Sequence, residues 1–239
     1  MDQPTLHLGF AAELRFFLPR RYRCAPVAVP HDGTSSLGHV VESLGVPLTE
    51  VGALRVDGRT VPPSHRPGPG STVEVAGVRR PQGVPWSPPR FVLDVHLGAL
   101  ARRMRLVGVD SAYRNDADDD ELVVQANAEH RVLLTQDRGL LRRRRLRAGG
   151  FVRGAHPDEQ LADVLDRFAP PLAPWTRCTA CNGELAEVRK ADVEPELLPG
   201  TRATYDSFVR CRACGRVYWP GAHHRRLAAI VAAAERRTG

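Results

Sequence analysis

The sequence predicts a multidomain α/β protein that ends in a small module held by cysteines. Three observations lead to this fold class. Prolines cluster at residues 81–89 and 169–174, where a helix or an interior strand is excluded. Between these clusters, short apolar runs typical of buried strands are followed by helical periodicity, which favours a parallel sheet. Four of the five cysteines form two CxxC pairs near the end of the chain.

Length and composition agree with several packed domains. The chain has 239 residues, more than the ~100 to 200 of a typical domain. We expect domains at residues 1–80, 90–168 and 175–239, joined by linkers at 81–89 and 169–174. Hydrophobic residues at 42% and charged residues at 26% exclude a disordered or fibrous chain.

No segment has the pattern of a membrane span or an export signal. Apolar runs stay well below the ~18 residues that cross a bilayer. The start, MDQPTLHLGF, lacks the basic-then-apolar order of a signal peptide. We therefore expect a soluble, cytoplasmic protein with no membrane partner.

The formal charge of +7 indicates a polyanionic partner such as RNA. Lys190 is the only lysine, so a compositional bias accounts for many scattered arginines, although each offers a planar fork suited to phosphate. Residues 1–89 carry 9 basic and 7 acidic side chains, 90–170 carry 14 and 13, and 171–239 carry 11 and 7. The excess of positive charge is therefore largest in the C-terminal segment.

The first segment is predicted to contain two strands, a helix and three further strands. Apolar residues alternate in LHLGF and in VAV, as in half-buried strands. One of Thr34, Ser35 and Ser36 is expected to cap a helix that ends at Gly45. The apolar positions of that helix are Leu37, Val40, Val41 and Leu44. Asp57-Gly58 predicts a hairpin turn, and STVEVAGV predicts the closing strand.

The middle segment begins with a short apolar run, Phe91 to Leu93, which suits a buried strand. Asp94 follows directly. A carboxylate at the carboxyl end of such a strand points into the crevice where open α/β sheets bind ligands. The next apolar residues recur at helical spacing and predict a core-facing helix: Leu97, Leu100, Ala101, Met104 and Val107.

An acidic cluster follows at residues 116–121. Asp118 with Glu121 forms a capping box for the next helix, and this structural role competes with a functional one. Capping needs one or two acids, whereas five fall within six residues: Asp116, Asp118, Asp119, Asp120 and Glu121. Carboxylates this crowded repel unless a cation lies among them, and oxygen ligands suit Mg²⁺ or Mn²⁺.

A second buried run, Val132 to Leu134, leads through Thr135 to Asp137. Two neighbouring parallel strands would hold the carboxylates of Asp94 and Asp137 at one edge of the sheet. With an acid from the helix start they form a three-carboxylate cradle for divalent ions. Such ions generate hydroxide and stabilise phosphate during in-line displacement.

Arginines follow this strand in a run that contains no acidic residue. Six lie within ten residues: Arg138, Arg142, Arg143, Arg144, Arg145 and Arg147. A charge run is usually a solvated face. Its position beside the proposed metal site favours contact with a phosphate backbone instead.

The two CxxC pairs are separated by residues 182–210 and comprise Cys178, Cys181, Cys211 and Cys214. Four thiolates suit tetrahedral Zn²⁺ and leave no open coordination position, so we expect a structural zinc ribbon. DVEPELLPG between the pairs predicts an inserted loop.

Cys24 is expected to be a small buried side chain. Tyr218 and Trp219 are expected to stack on bases or to pack the ribbon against the preceding domain.

These residues resemble the Mut-seven C-terminal RNase domain family, a PIN-like nuclease group. The resemblance runs from residue 90 to 227 through FVLDVHLGALARRMRLVGVD, DDDELVVQANAEHRVLLTQDRGLLRRR, HPDEQLADVLDRF, RCTACNGEL and RCRACGRVYWPGAHHRRL. It implies a parallel-sheet domain that cleaves RNA with Mg²⁺ or Mn²⁺ held by clustered acids.

The resemblance also implies site residues. The catalytic acids are Asp94, Asp119 and Asp137, with Asp118 or Asp120 as alternatives for the middle position and Asp116 or Asp158 as candidates for a fourth acid. Thr135, Asp137 and Arg138 keep a TxDR motif.

The first segment resembles the ubiquitin-like β-grasp domain that is often fused before this nuclease. Its element order and a GxGxxV-like turn at Gly68, Gly70 and Val73 carry the resemblance. Sulfur carriers of this fold act through a terminal Gly-Gly, but here the equivalent place reads VAGVRRP and the chain continues. A positioning role, or binding of a protein partner, is therefore expected.

The sequence thus predicts a metal-dependent ribonuclease whose zinc ribbon helps to hold RNA. The alternative is a noncatalytic RNA-binding or adaptor protein, in which the acids only cap helices while the ribbon and the basic run bind. A phosphatase of the DxDxT kind is disfavoured because His96 stands where the second acid belongs.

Overall fold

The computed structural model describes residues 5–24 and 26–238. These residues form two compact units. The first comprises the chain up to residue 82 together with residues 135–151, and the second comprises residues 83–134 and 152 onward. Residues 135–151 were expected in the middle segment, whereas the structure groups them with the first segment.

The first unit is built on a five-stranded sheet. Its elements are β1 (Thr5–Phe10), β2 (Val27–Pro30), α1 (Leu37–Ser43), β3 (Val51–Val56), β4 (Arg59–Val61) and β5 (Thr72–Gly77). The strand order is β2-β1-β5-β3-β4, in which β1 and β5 run parallel and the other neighbours antiparallel. This is the predicted ubiquitin-like β-grasp arrangement.

Local sequence explains these elements. The alternating residues Leu6 and Leu8 are fully buried, as a strand with one covered face requires. Of the three candidate caps, Ser36 caps α1, and its hydroxyl accepts a hydrogen bond from the backbone N–H of His39. Asp57 and Gly58 adopt φ values of 47° and 80°, which gives the predicted hairpin turn between β3 and β4.

The connection between β1 and β2 contains two 3₁₀ turns, Ala12–Phe17 and Arg20–Tyr22, that the sequence did not predict. Each is too short to show helical periodicity. Cys24 follows the second turn and is exposed. The expectation that it is buried was wrong because it lies on this surface connection rather than on a core-facing strand or helix.

The remaining elements follow in chain order. They are β6 (Phe91–Leu93), α2 (Gly98–Leu106), β7 (Ser111–Tyr113), α3 (Asp119–Ala128), β8 (Val132–Thr135), α4 (Arg138–Leu141), β9 (Gly149–Phe151), α5 (Pro157–Phe168), β10 (Leu185–Val188), α6 (Lys190–Val193), α7 (Pro199–Thr204), β11 (Phe208–Cys211), β12 (Val217–Tyr218) and α8 (His224–Thr238).

Residues 135–151 complete the core of the first unit. Leu141 at the end of α4 and Phe151 in β9 join the buried apolar cluster of the β-grasp domain. The ring of Phe151 lies 5.2 Å from that of Phe17 and 5.5 Å from that of Phe16. Aromatic pairs at these distances stabilise a core beyond the area that they bury.

The second unit contains a parallel arrangement in which β6 lies between β7 and β8. Phe91 pairs with Ser111 and Val132, and Leu93 pairs with Tyr113 and Leu134. Both predicted apolar runs are wholly buried, which explains why they do not alternate. β7 was not predicted because its three residues, SAY, have no strand periodicity. α5 packs against α2 and α8.

The second proline cluster is an ordered connection rather than a free linker. The backbone N–H of Ala173 donates to the carbonyl of Val107, and that of Trp175 donates to Leu106, each at 3.1 Å. By contrast, residues 79–90, all of them described, contain no helix or strand.

The cysteine segment forms a small antiparallel sheet in the order β10-β11-β12, followed by α8. The stretch DVEPELLPG was expected to be a loop, but it contributes to α6, α7 and a 3₁₀ turn between them. Within residues 5–24 and 26–238, no helix combines the length and apolar character needed to cross a bilayer.

Candidate functional site

Asp94 extends the ladder between β6 and β8. Its backbone N–H donates to the carbonyl of Leu134 at 3.0 Å, one residue beyond the last strand pair. Its own carbonyl accepts from Leu97 in the 3₁₀ turn that leads into α2. The residue is only 6% exposed. The sequence therefore places a buried carboxylate at the carboxyl end of the central strand, as predicted.

Two of the five acids at residues 116–121 have a structural role at the start of α3. Asp118 and Glu121 form the predicted reciprocal capping box at the start of α3. Arg114 pairs with Glu121 and, at 3.7 Å, with Asp116. A cation therefore does lie among these carboxylates, and it is an arginine that the sequence interpretation overlooked.

Asp119 differs from its two neighbours in position. It is the first residue of α3 and is half-buried, whereas Asp118 and Asp120 are exposed. Of the three candidates for the middle position, Asp119 is thus the one that is partly buried. The other candidate for a fourth acid, Asp158, pairs with Arg103 at 2.7 Å between α5 and α2.

Asp137 belongs to the first unit and begins α4. Its carboxylate accepts a 2.6 Å hydrogen bond from the backbone N–H of Gly139, and its own N–H donates to the hydroxyl of Thr135 at 2.8 Å. Thr135 is fully buried, so this motif is rigid at its start. Asp137 itself is exposed and has carboxylate lone pairs beyond the one used for capping.

The basic run is not uniform. Arg142, Arg143, Arg144 and Arg145 lie in the exposed turn after α4. Arg138 instead donates from its guanidinium to the carbonyls of Phe17 at 3.1 Å and Phe16 at 3.2 Å, and lies 4.5 Å above the Phe16 ring. Burial, with a smaller effect of the Arg23 charge, lowers the pKa of Arg138. Its main contacts therefore anchor residues 135–151 to the β-grasp core.

The structure brings the four paired cysteines together. Among the described residues, they are the group of three or more ligating side chains that could hold a metal ion, and their sulfurs all lie within 4.8 Å of one another. Asp94 and Asp119 belong to the second unit and Asp137 to the first, so the three-carboxylate site stays a prediction.

The sulfur geometry fits a tetrahedral metal. Cys178 Sγ lies 3.8 Å from Cys214 Sγ, and Cys181 Sγ lies 3.5 Å from Cys211 Sγ. A tetrahedron with zinc–sulfur bonds of ~2.3 Å has edges of about 3.8 Å. The donor set and its spacing therefore suit Zn²⁺.

Two of the cysteine thiols differ widely in pKa. Burial alone raises the pKa of the Cys178 thiol, but hydrogen bonds from Tyr218 and from the backbone N–H groups of Cys181 and Ala180 lower it to about 6. Burial and the neighbouring sulfurs raise the pKa of Cys181 to about 12. The Cys178 thiolate is thus preformed, whereas Cys181 needs a nearby cation before it loses its proton at neutral pH.

The first cysteine knuckle is bound to the parallel sheet by a polar network that the sequence did not reveal. Arg105, which periodicity placed outside the core-facing stripe of α2, is buried and donates to the carbonyls of Ser111 and Ala180, each at 2.8 Å. Asn182 accepts from the N–H of Ser111 at 3.0 Å. These bonds join β7 to the turn between Cys178 and Asn182.

Asp110 lies at the centre of the same network. It accepts hydrogen bonds from Arg131 at 2.5 Å and Asn182 at 2.8 Å, and Arg177 lies 3.4 Å away. Burial alone raises the pKa of Asp110, but these hydrogen bonds and the two arginine charges outweigh it and hold the pKa below its usual value. The group is a structural ion cluster, because Asp110 and Glu129 together balance the charges of Arg131 and Arg177.

This network fixes the position of the knuckle relative to the sheet. Asp110 and Ser111 stand at the amino end of β7, where Asp110 also accepts from the N–H of Phe91. Asp94 stands at the carboxyl end of β6. The knuckle and Asp94 therefore occupy opposite edges of the parallel sheet, so the cysteine site is separate from Asp94.

Comparisons with known proteins agree with this organisation. The family described as Mut7-C RNAse domain matches residues 89–231, and the family described as Mut7-C ubiquitin matches residues 3–83. Neither the curated proteins nor the solved structures gave a significant match. Because the first match covers more than half of the chain, this protein belongs to the Mut7-C RNAse domain family, a nuclease family, and carries the ubiquitin-like domain in front of it.

Proposed function

We propose that the protein is a metal-dependent ribonuclease that hydrolyses RNA phosphodiester bonds, with Asp94, Asp119 and Asp137 as the acids that hold Mg²⁺ or Mn²⁺. The observation that carries this proposal is the parallel register of β6 with β8, because each of these strands is followed by an aspartate at its carboxyl end. The family match supports the reaction class.

The donor set suits the proposed metal. Oxygen-only ligands are preferred by Mg²⁺ and Mn²⁺, and Asp94 is buried directly after a central strand, which holds a ligand rigidly. A bound divalent ion would supply a metal-activated water and would stabilise charge on the phosphate. Asp119 contributes from the first turn of α3, where its partial burial restricts the side chain.

The exposed arginines of the basic run are proposed to hold the RNA backbone. Arg142, Arg143, Arg144 and Arg145 follow α4, the helix that Asp137 begins, so they lie within a few residues of a proposed metal ligand. Guanidinium groups bind phosphate in a forked geometry. Arg138 is proposed to contribute mainly by anchoring this segment, since two backbone carbonyls already accept its N–H groups.

The cysteine site is proposed to hold a structural Zn²⁺. All four donors are cysteines, so no coordination position remains for water or substrate. The ubiquitin-like domain is proposed to position residues 135–151, which complete its own core, and a protein partner on its outer surface is a second role to be tested.

The test uses purified, zinc-loaded protein with labelled single-stranded RNA, in Mg²⁺, in Mn²⁺ and without divalent ions. We expect cleavage only with a divalent ion, and its loss in Asp94→Asn and in Asp137→Asn. Asp166→Asn serves as the matched control, because that acid pairs with Arg237 at 2.6 Å between α5 and α8 and is not among the candidate ligands. Its cleavage rate should stay close to that of the wild type.

Two outcomes would contradict the proposal. Equal cleavage by wild type and by the double variant Asp94→Asn/Asp137→Asn would show that other residues catalyse. RNA binding without cleavage under every divalent ion would favour the noncatalytic RNA-binding alternative.

A further inference from the structure

The second unit contains a cavity of about 530 Å³ beside the cysteine knuckles. Residues of β11 and β12, the start of α8 and the segment around Trp175 line it. Its volume falls within the ~300 to 1,000 Å³ of ligand sites. Asp94 and the four ligating cysteines are not among the residues that line this cavity.

Two tryptophans line the cavity and remain partly open to water. Trp175 is 38% exposed and Trp219 is 40% exposed. The Trp219 ring packs at 6.3 Å against Phe208, so its orientation is fixed although much of its surface is uncovered. Because both rings line the same cavity, their exposed parts form one apolar surface, as binding grooves do.

The backbone at Trp175 is strained. Its φ is +64°, a left-handed value that is an outlier for a bulky side chain. The hydrogen bond from its N–H to Leu106 holds this conformation, and its ring stacks on His224 with centroids 5.0 Å apart. Strain that a fold retains is concentrated at sites of function.

The charge of the lining selects the kind of ligand. Among the described lining residues, His223 and His224 offer ring nitrogens, Arg177 offers a guanidinium that also pairs with Asp110, and no carboxylate is present. The surrounding segment, residues 171–239, carries 11 basic and 7 acidic side chains. Flat aromatic surfaces with basic and no acidic neighbours suit a nucleobase attached to phosphates.

We propose that this cavity is a subsite for an unpaired nucleobase of single-stranded RNA, which stacks on Trp175 or Trp219. The inference rests on the proposed function, because the bound strand is the RNA that the nuclease cuts. The knuckle lies at the sheet edge opposite to Asp94, so the stacked base belongs to a part of the strand away from the scissile bond. Binding energy gained there is uniform for ground and transition states, and its loss should raise KM more than it lowers kcat.

The test follows tryptophan fluorescence in the full-length, zinc-loaded protein carrying Asp94→Asn, so that RNA binds without being cut. The chain has three tryptophans, and Trp86→Phe leaves only the two of the cavity as reporters. We expect saturable quenching by oligoadenylate, and weaker or no quenching by an RNA duplex or an abasic oligomer of equal length. The RNA affinities of Trp175→Ala and Trp219→Ala are then measured by the anisotropy of labelled RNA. The variant that lacks the stacking ring should bind RNA roughly 5- to 150-fold more weakly.

The controls separate this inference from the proposed function. Leu198→Ala removes another exposed apolar side chain, 75% exposed, and should leave RNA affinity unchanged. Zinc content and circular dichroism show whether each variant is folded, and Trp→Phe variants at both positions replace any that are not.

RNA-induced quenching by a protein that never cuts RNA would preserve the inference and reject the proposed function. Unchanged affinity after substitution of both tryptophans, or equal binding of the abasic oligomer, would overturn the inference, and the cavity would then be tested for a peptide ligand.

Discussion

The backbone N–H of Phe151 donates a 2.8 Å hydrogen bond to the carboxylate of Glu50, which is only 3% exposed. Glu50 ends the 3₁₀ turn before β3, and its own carbonyl accepts from Val78 after β5. A carboxylate this buried is stable only when it is hydrogen-bonded. It thereby binds the segment that carries Asp137 and the basic run to the ubiquitin-like domain.

Replacing Glu50 by alanine should lower the free energy of unfolding by about 1 to 3 kcal/mol, because a buried N–H loses its acceptor. Glu50→Gln retains one acceptor oxygen and should recover part of the loss. Urea unfolding followed by circular dichroism measures both. Glu74→Ala is the control, since its pair with Arg55 is exposed, at 3.6 Å, and its effect should stay below about 0.5 kcal/mol. Equal effects at Glu50 and Glu74 would contradict this role.

Arg138 and Arg142 should respond in opposite ways to substitution by alanine. Arg138→Ala removes two charge-assisted hydrogen bonds to backbone carbonyls and a ring contact, and should destabilise the protein by about 1 to 3 kcal/mol. Arg142→Ala should leave stability unchanged but weaken RNA binding and reduce its salt dependence by about one phosphate contact. Thermal unfolding and a salt series of binding constants separate the two. A large stability loss for Arg142→Ala would refute this division.

The Asp110 cluster should give a stability difference that depends on pH. Its folded pKa is lowered, so its contribution is complete above the unfolded value of about 3.9 and is lost as pH falls through the lower folded value. Asp110→Asn cannot ionise. The stability gap between wild type and variant should therefore be widest near neutral pH and narrow below about pH 4. Urea unfolding across this range tests it, and a gap that is constant with pH would disprove it.

Gly108 should not tolerate a side chain. Its φ is +84°, and a Cβ there would clash with the carbonyl of Ala173 in the ordered proline-rich connection. Gly108→Ala should cost at least about 1 kcal/mol. The matched change Gly200→Ala lies in α7, where a Cβ meets open space, and should be neutral or stabilising by up to about 1 kcal/mol. Similar melting temperatures for both variants would count against the assigned geometry.

Metal binding by the cysteines should weaken in mild acid. Because the pKa of Cys178 is about 6 without metal, protons compete for its thiolate only as pH falls through that value, whereas they compete for Cys181, whose pKa is about 12, at higher pH. Zinc release, measured with a colorimetric chelator, should increase as pH decreases and should be complete in Cys178→Ser/Cys214→Ser. Retention of one zinc per chain by that double variant would exclude the four-sulfur site.

Most secondary structure that could be predicted from the sequence has a local cause. The alternation in β1, the uninterrupted apolar runs of β6 and β8, and the capping box of α3 depend on residues within a few positions of one another. The elements that escaped prediction are short or have atypical composition. β9 is one of these, since GGF contains two glycines and a single large side chain.

The roles of the arginines could not be read from the sequence. Arg105 and Arg138 sit in stretches that look like solvated basic faces, yet both donate to backbone carbonyls, in the case of Arg105 to Ala180, 75 positions away. Arg138 reaches Phe17 across 121 positions. No local pattern encodes such a contact, because an arginine has the same sequence signature whether it binds phosphate or protein backbone.

By itself the sequence determined the kinds of domain, the family, the four cysteines and the aspartates that follow the buried strands, because these depend on residue type, periodicity and spacing. The tertiary structure decided which neighbours each polar group has. It assigned Asp118 to capping and joined Asp110 to the first cysteine knuckle. It also placed Asp137 and the basic run on the ubiquitin-like core. These outcomes depend on burial and on hydrogen bonds between distant parts of the chain, which exist only after the domains have packed.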